Sequence, residues 1–128
     1  MSDGDLRRIF RANLHQFDWL AVETRSTSRG VPDVNYCIDG HEGWIEMKRC
    51  SGWRLRISPE QVGWAERRID HGGRVFLVVR QPKAMWIFAG KMMRHLTTER
   101  LDRVAPVGCW VGGPSAWDWG HIAAILVM

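Results

Sequence analysis

Asp33, Glu46 and Lys48 are the residue types that handle divalent metal and phosphate, and their spacing could bring them together. They lie in two short stretches, Gly30-Val31-Pro32-Asp33 and Trp44-Ile45-Glu46-Met47-Lys48. In a strand, side chains alternate faces with a period of two. Glu46 and Lys48 then point one way, and Ile45 and Met47 point the other way into the core. Asp33 opens the preceding strand, with Val34, Tyr36 and Ile38 on one face and Asp33, Asn35 and Cys37 on the other. Asp39-Gly40 predicts a hairpin turn between the two strands. Pairing them brings Asp33 close to Glu46 and Lys48. Two carboxylates and an amine in one small site suit a hard divalent cation with phosphate chemistry beside it. The plainer alternative is a polar strand face carrying an ion pair.

The elements that must position these residues are legible on either side. Leu6, Ile9, Phe10, Leu14 and Phe17 recur at helical spacing, with Ser2 or Asp3 as the cap. Arg7, Arg8 and Arg11 lie off that stripe and read as a solvated face, with phosphate contact as the functional alternative. Trp19 to Thr24 reads as a strand, followed by a polar loop from Arg25 to Gly30. Beyond the hairpin, Arg49-Cys50-Ser51-Gly52-Trp53-Arg54-Leu55-Arg56 is a basic loop with one aromatic. Such a mixture can track a nucleic-acid backbone and stack a base.

Ser58-Pro59-Glu60-Gln61 is a helix start, with Ser58 as cap, Pro59 in the first helical position and Gln61 completing a capping box. The helix runs to about Asp70 and stops at Gly72-Gly73. Val62, Ala65 and Ile69 form its apolar stripe, and Gln61, Trp64 and Arg68 form a second. Val75 to Val79 is a continuous apolar run, as in a strand covered on both faces. Met85 to Phe88 forms another strand. Short helices are expected from Lys91 to Leu96 and from near Thr98. Ser115-Ala116-Trp117-Asp118 resembles a capping box opening a last helix through Ile122 and Leu126. The order is helix, three strands, helix, two strands and a helical C-terminal part. It implies an α/β/α sandwich with a mixed sheet.

Composition sets the outer bounds. A chain of 128 residues with 45% hydrophobic and 25% charged side chains reads as one domain, spanning 1–128, with a real core. The net charge of +4 permits a polyanionic partner without requiring one. Three widely spaced cysteines indicate neither a disulfide framework nor a zinc ribbon, and a reducing compartment follows. No apolar signal region follows the polar N-terminus, and the longest apolar run, Ile122 to Met128, is too short to span a bilayer. A cytoplasmic protein with no membrane partner is expected. The histidines are scattered, with no metal-binding spacing among them. Most of the eight tryptophans read as packing.

The Gly-Val-Pro-Asp segment, Glu46-Met47-Lys48, and the helix carrying Ser58, Gln61 and Trp64 together resemble the PD-(D/E)XK nuclease superfamily. Within it, the chain looks most like the VRR-NUC (virus-type replication-repair nuclease) group and the related Holliday-junction resolvases. The resemblance runs from Ser28 to Val79. It implies a restriction-endonuclease-like α/β/α sandwich with an αβββαβ core and a helical C-terminal extension. It implies metal-dependent phosphodiester hydrolysis, with Mg²⁺ or Mn²⁺ held by Asp33, Glu46 and the Met47 carbonyl. Lys48 would orient or help activate the attacking water, and Gln61 would hydrogen-bond in the site. Many relatives carry a glutamate in the first helix, which this chain, read as ending that helix before Trp19, lacks. Glu23 is the candidate substitute as a metal ligand, and Asp5 is a weaker one.

The expected function is a small Mg²⁺-dependent DNA endonuclease of replication, recombination or repair. It would be selective for structure, such as branched DNA or a Holliday junction. Arg29, Arg49, Trp53, Arg54 and Arg56 are the nucleic-acid-binding candidates. A homodimer is expected because symmetric cutting of two strands needs two sites. A phage or mobile-element origin, hence a host cytoplasm, follows from the resemblance alone. The rival classes are a non-catalytic nucleic-acid-binding module on the same fold and an interaction or assembly protein.

Overall fold

The computed structural model describes residues 4–22 and 29–128. Six strands form one sheet in the order β1-β2-β3-β4-β5-β6. They are β1 (Asp18–Ala21), β2 (Val34–Ile38), β3 (His41–Arg49), β4 (Val75–Gln81), β5 (Ala84–Ala89) and β6 (Gly108–Val111). All neighbours are antiparallel except β3 and β4. That parallel pair is linked by α2 (Pro59–Asp70), because parallel strands need a crossover. The sheet is mixed, as expected.

The alternation along β3 decides what each face holds. Ile45 and Met47 point into a core built with Leu6, Phe10 and Leu14 from α1 (Gly4–Asn13) and its exit. Ile122, Ile125 and Leu126 of α4 (Trp119–Leu126) close the same side. On the other face, Val62, Trp64 and Ala65 of α2 pack with Leu77 and Val79 of β4 and with Met93 and Leu96 of α3 (Met93–Leu96). The central run of β4 is buried on both faces, which is why it reads as continuously apolar.

Local signals place the element ends. The β2–β3 hairpin turns at Asp39 and Gly40, both at positive φ (47° and 81°), as a two-residue turn matching the strand twist requires. The Ser58 hydroxyl accepts the Gln61 N–H at 3.1 Å, and the Gln61 side-chain oxygen accepts the Ser58 N–H at 3.0 Å. The predicted capping box is therefore closed from both sides, and α2 ends at Asp70 as the spacing indicates.

The C-terminal part departs from its expected, purely helical form. It contributes β6, whose short Gly-Cys-Trp-Val segment has too few residues to display a period. The last helix is capped by Asp118, whose carboxylate accepts the His121 N–H at 3.0 Å. Ser115 belongs instead to a separate 3-10 turn at Pro114–Ala116. The region expected to be helical near Thr98 is a 3-10 turn at Leu101–Arg103.

Tyr36 ties the C-terminal helix to the sheet. Its ring is fully buried, and its hydroxyl donates to the Leu126 carbonyl at 2.6 Å. Tyr36→Phe leaves that carbonyl short of a donor, at a net loss of about 1–2 kcal/mol. Urea unfolding of the two proteins at neutral pH should resolve that difference.

Candidate active site

β3 carries the centre of the site. Glu46 and Lys48 share its α2 face and are, among the described residues, the two charged side chains that are buried, each about 4% exposed. Their charged atoms, Lys48 Nζ and Glu46 Oε2, lie 3.5 Å apart. Asp33 arrives from just before β2. Its Oδ2 accepts the Met47 N–H at 2.9 Å, so its carboxylate is pinned against the strand that bears Glu46. The sequence-predicted trio is thus brought together.

The Met47 backbone faces the same edge. The Trp44 and Cys50 amides donate to the Arg74 and Arg80 carbonyls beside β4. Alternation therefore turns the Met47 N–H and C=O toward β2. The register pairs Val34 with Ile45, and continued by two residues it sets Pro32 opposite Met47. Proline has no N–H, so this position offers no ladder donor to the Met47 carbonyl. The Asp33 carboxylate meanwhile takes the Met47 N–H. The Pro-Asp pair thus leaves a backbone oxygen on the strand edge where the Asp33 carboxylate sits.

Gln61 serves its helix and the site at once. Its amide oxygen closes the capping box, and its amide nitrogen donates to Glu46 Oε2 at 2.9 Å. Capping and site contact are two ends of one side chain. Gly30 allows the approach. It has φ +85°, and a Cβ there would lie 2.2 Å from the Glu60 carbonyl oxygen. The loop leading to Asp33 therefore rests directly on the first turn of α2. An open groove of about 310 Å³ results, lined by Arg29, Gly30, Val31, Asp33, Glu46, Ser58, Glu60 and Gln61.

Around Glu46 the site holds more acid than base, with Arg7 and Arg29 as the cations at its margin. Burial raises the Glu46 carboxyl to about 7, and the Asp33 charge pushes it the same way, against the pull of Lys48. Burial also raises Asp33, opposed by its bond from the Met47 amide and by the Lys48 and Arg7 charges. With both acids ionised, one ammonium faces two carboxylates. A divalent cation would reverse that imbalance, and two carboxylates with one carbonyl are oxygen donors of the kind Mg²⁺ prefers, waters completing its shell. Among the described residues no group of three or more His, Cys, Asp or Glu side chains converges. Glu23 lies outside the described residues. Asp5 is paired with Arg8 and lies 3.5 Å from Arg49, away from the groove lining.

The nucleic-acid candidates divide. Arg29 lines the groove. Arg49 does not: its odd position on β3 turns it to the α1 face, beside Asp5. Its expected place near the site is corrected by strand alternation. Arg54 donates to the Thr98 carbonyl at 2.8 Å, and Trp53 stands edge-on to Trp86 beneath the Arg100 guanidinium. The Trp53 carbonyl and the Gly52 carbonyl are held by the Leu101 N–H and the Gln81 side chain. The basic loop is therefore fastened to the α3 end of the molecule. Arg56 is exposed. Arg7, read from the sequence as part of a solvated face, lies close enough for its charge to reach Asp33; the packing of α1 on β3 that brings it there leaves no local mark.

No family model matches the sequence, and none of the curated proteins matches it. Among solved structures the fold is similar to that of Hjc from Archaeoglobus fulgidus, a Holliday junction resolvase from an archaeal hyperthermophile. The TM-score is 0.55 at 19% sequence identity, over 69% of this chain and 76% of that one. The six-stranded mixed sheet with its flanking helices is a restriction-endonuclease-like α/β fold. Among the described residues no helix is long and apolar enough to cross a membrane.

Two expectations follow. A carboxyl raised in the folded state from 4.5 to about 7 favours folding fully below its unfolded value. That contribution is lost as pH rises through about 7. In metal-free buffer, wild type should lose up to about 3 kcal/mol more stability between pH 5 and pH 8 than Glu46→Gln does. Parallel urea melts at both pH values measure it. Gly30→Ala should lower the melting temperature by several degrees, because the added Cβ must displace the Asp33 loop or the α2 first turn. Thermal melts against wild type check this.

Proposed function

We propose that this chain is a metal-dependent DNA endonuclease of the PD-(D/E)XK type, acting on branched DNA. The observation that carries the reading is the pairing of half-buried Asp33 with buried Glu46 beside Lys48. Burying two acids together is unfavourable unless a cation neutralises them. The likeness of the fold to a Holliday junction resolvase supports the choice of nucleic-acid substrate.

In this reading Asp33, Glu46 and the Met47 carbonyl hold Mg²⁺ or Mn²⁺, with Glu23 as the candidate further acid. The ion supplies charge stabilisation at the phosphate and a more acidic water. Lys48 provides a fixed positive charge beside Glu46, suited to orienting the attacking water and offsetting charge on the phosphoryl oxygens. Gln61 is a positioning residue: it holds one Glu46 oxygen and leaves the other for the ion. Arg29, on the groove wall, contacts the substrate backbone. Water attacks phosphorus, one P–O ester bond breaks, and the products are a phosphomonoester and a hydroxyl. The VRR-NUC subgroup is the finer assignment, favoured by the Ser58, Gln61 and Trp64 pattern. Each chain supplies one such site, so symmetric cutting of a junction uses a homodimer.

A panel of four-way junction, 5′ flap, linear duplex and single strands, with Mg²⁺, Mn²⁺ or EDTA, tests this. Cleavage should require metal and favour the branched substrates. Asp33→Asn and Lys48→Ala should each reduce the rate at least 100-fold, a loss of about 2.7 kcal/mol of transition-state stabilisation. Equal cutting by wild type and both variants, or no cutting of any substrate, would contradict it.

A further inference from the structure

We propose that a second groove, beside the C-terminal half of α2, seats the phosphate backbone of the DNA strand that runs into the Asp33–Glu46 site. It is lined by Trp64, Arg67, Arg68, His71, Gly72 and Gly73, with a volume of about 610 Å³. The inference rests on the nuclease reading above and extends it to a surface outside the catalytic groove.

Position is the first argument. Gln61, Trp64 and Arg68 fall on one face of α2, and Gln61 already touches Glu46. Arg68 lies about 10 Å farther along the helix axis. On the strand beneath, Trp44 precedes Glu46 by two residues on the same face, about 7 Å away. The second groove therefore follows the first along α2, with Trp44 of β3 beside Arg68.

The second argument is how the arginines are held. The Arg68 guanidinium carbon lies 4.6 Å from the Trp64 ring centroid and 5.4 Å from that of Trp44. Its stem crosses Gly73, where a Cβ would stand 2.5 Å from Arg68 Cγ. Arg67 folds back toward Gly63, whose absent Cβ would lie 3.3 Å from Arg67 Nη1. Two glycines thus make room for two arginine side chains. Stacking fixes a guanidinium and leaves its N–H edges to donate, the geometry suited to phosphate oxygens.

Charge is the third. The ion pairs among the described residues include neither Arg67 nor Arg68. Glu66, on the same helix, is turned away and held in a two-pronged bond to Arg94 at 2.7 and 2.8 Å. The Glu66 carboxylate is so engaged with Arg94, and the lining of the second groove includes arginines and no acid. The surface suits backbone and not bases: Trp64 is only 9% exposed, with Trp44 and Arg68 against its ring, so it offers no stacking platform. Binding there is sequence-neutral.

Equilibrium binding of a four-way junction and a linear duplex tests the proposal. It is read by fluorescence anisotropy in EDTA at a series of salt concentrations, with cleavage in Mg²⁺ measured separately. Arg67→Gln and Arg68→Gln should each make the plot of log K against log salt shallower by about one unit, and weaken binding about tenfold near 0.1 M salt. Arg103→Gln, an exposed arginine on the distant 3-10 turn, should leave the slope unchanged. Arg67→Glu reverses a charge on an exposed side chain without touching the indole stack, and should exceed the effect of Arg67→Gln. It keeps the test open if the Arg68 variant melts early. A wild type that binds and cuts DNA while all groove variants keep its salt slope overturns this inference alone. A wild type that neither binds nor cuts overturns the nuclease reading and this inference with it.

Discussion

Two carboxylates held close together, one buried and one half-buried, are the constraint on which the site depends. Glu46 is nearly inaccessible, Asp33 is pinned to the same strand, and one lysine offsets only half of their combined charge. Left alone, such a pair opposes folding. The surrounding hydrophobic structure must outweigh it, and it does so with apolar layers on both faces of β3 and β4. The sheet is in this sense a rigid support for a locally unfavourable arrangement, as expected where charge must be ready before a ligand arrives.

The connections that hold this arrangement are few and specific. α2 is joined to the site through Gln61, which spends its oxygen on its own helix start and its nitrogen on Glu46. The Asp33 loop is joined to α2 through Gly30, with no side chain between the two backbones. Pro32 withholds a ladder donor from the Met47 carbonyl, and Asp33 answers the Met47 N–H. Each link joins a local folding signal to a chemical requirement, so the same residues end an element and shape the site.

Much of this was legible in the sequence because it is local. Period-two alternation separates Glu46 and Lys48 from Ile45 and Met47, and the Asp-Gly turn sets the register that brings Asp33 across. The capping box marks the start of α2. What could not be read was long-range or lacked a period. β6 is four residues long and joins a sheet edge by pairing alone. The cap of the last helix fell to Asp118 because Ser115 lies inside a separate 3-10 turn. Arg49 looked close to Lys48 in sequence, and the alternation that makes the site also sends it to the opposite face. The Trp64–Arg68 pair is four residues apart on α2 and was legible as a stripe, but the second indole over Arg68, Trp44, comes from β3, a meeting that only the tertiary structure displays.

The most direct test of the central claim is a crystal of the protein soaked in Mn²⁺ and examined by anomalous scattering. The account predicts a peak within bonding distance of the Asp33 and Glu46 carboxylates and the Met47 carbonyl, and its loss in Asp33→Asn. A map with no peak there, or with the ion bound elsewhere and the two acids still facing each other, would contradict it.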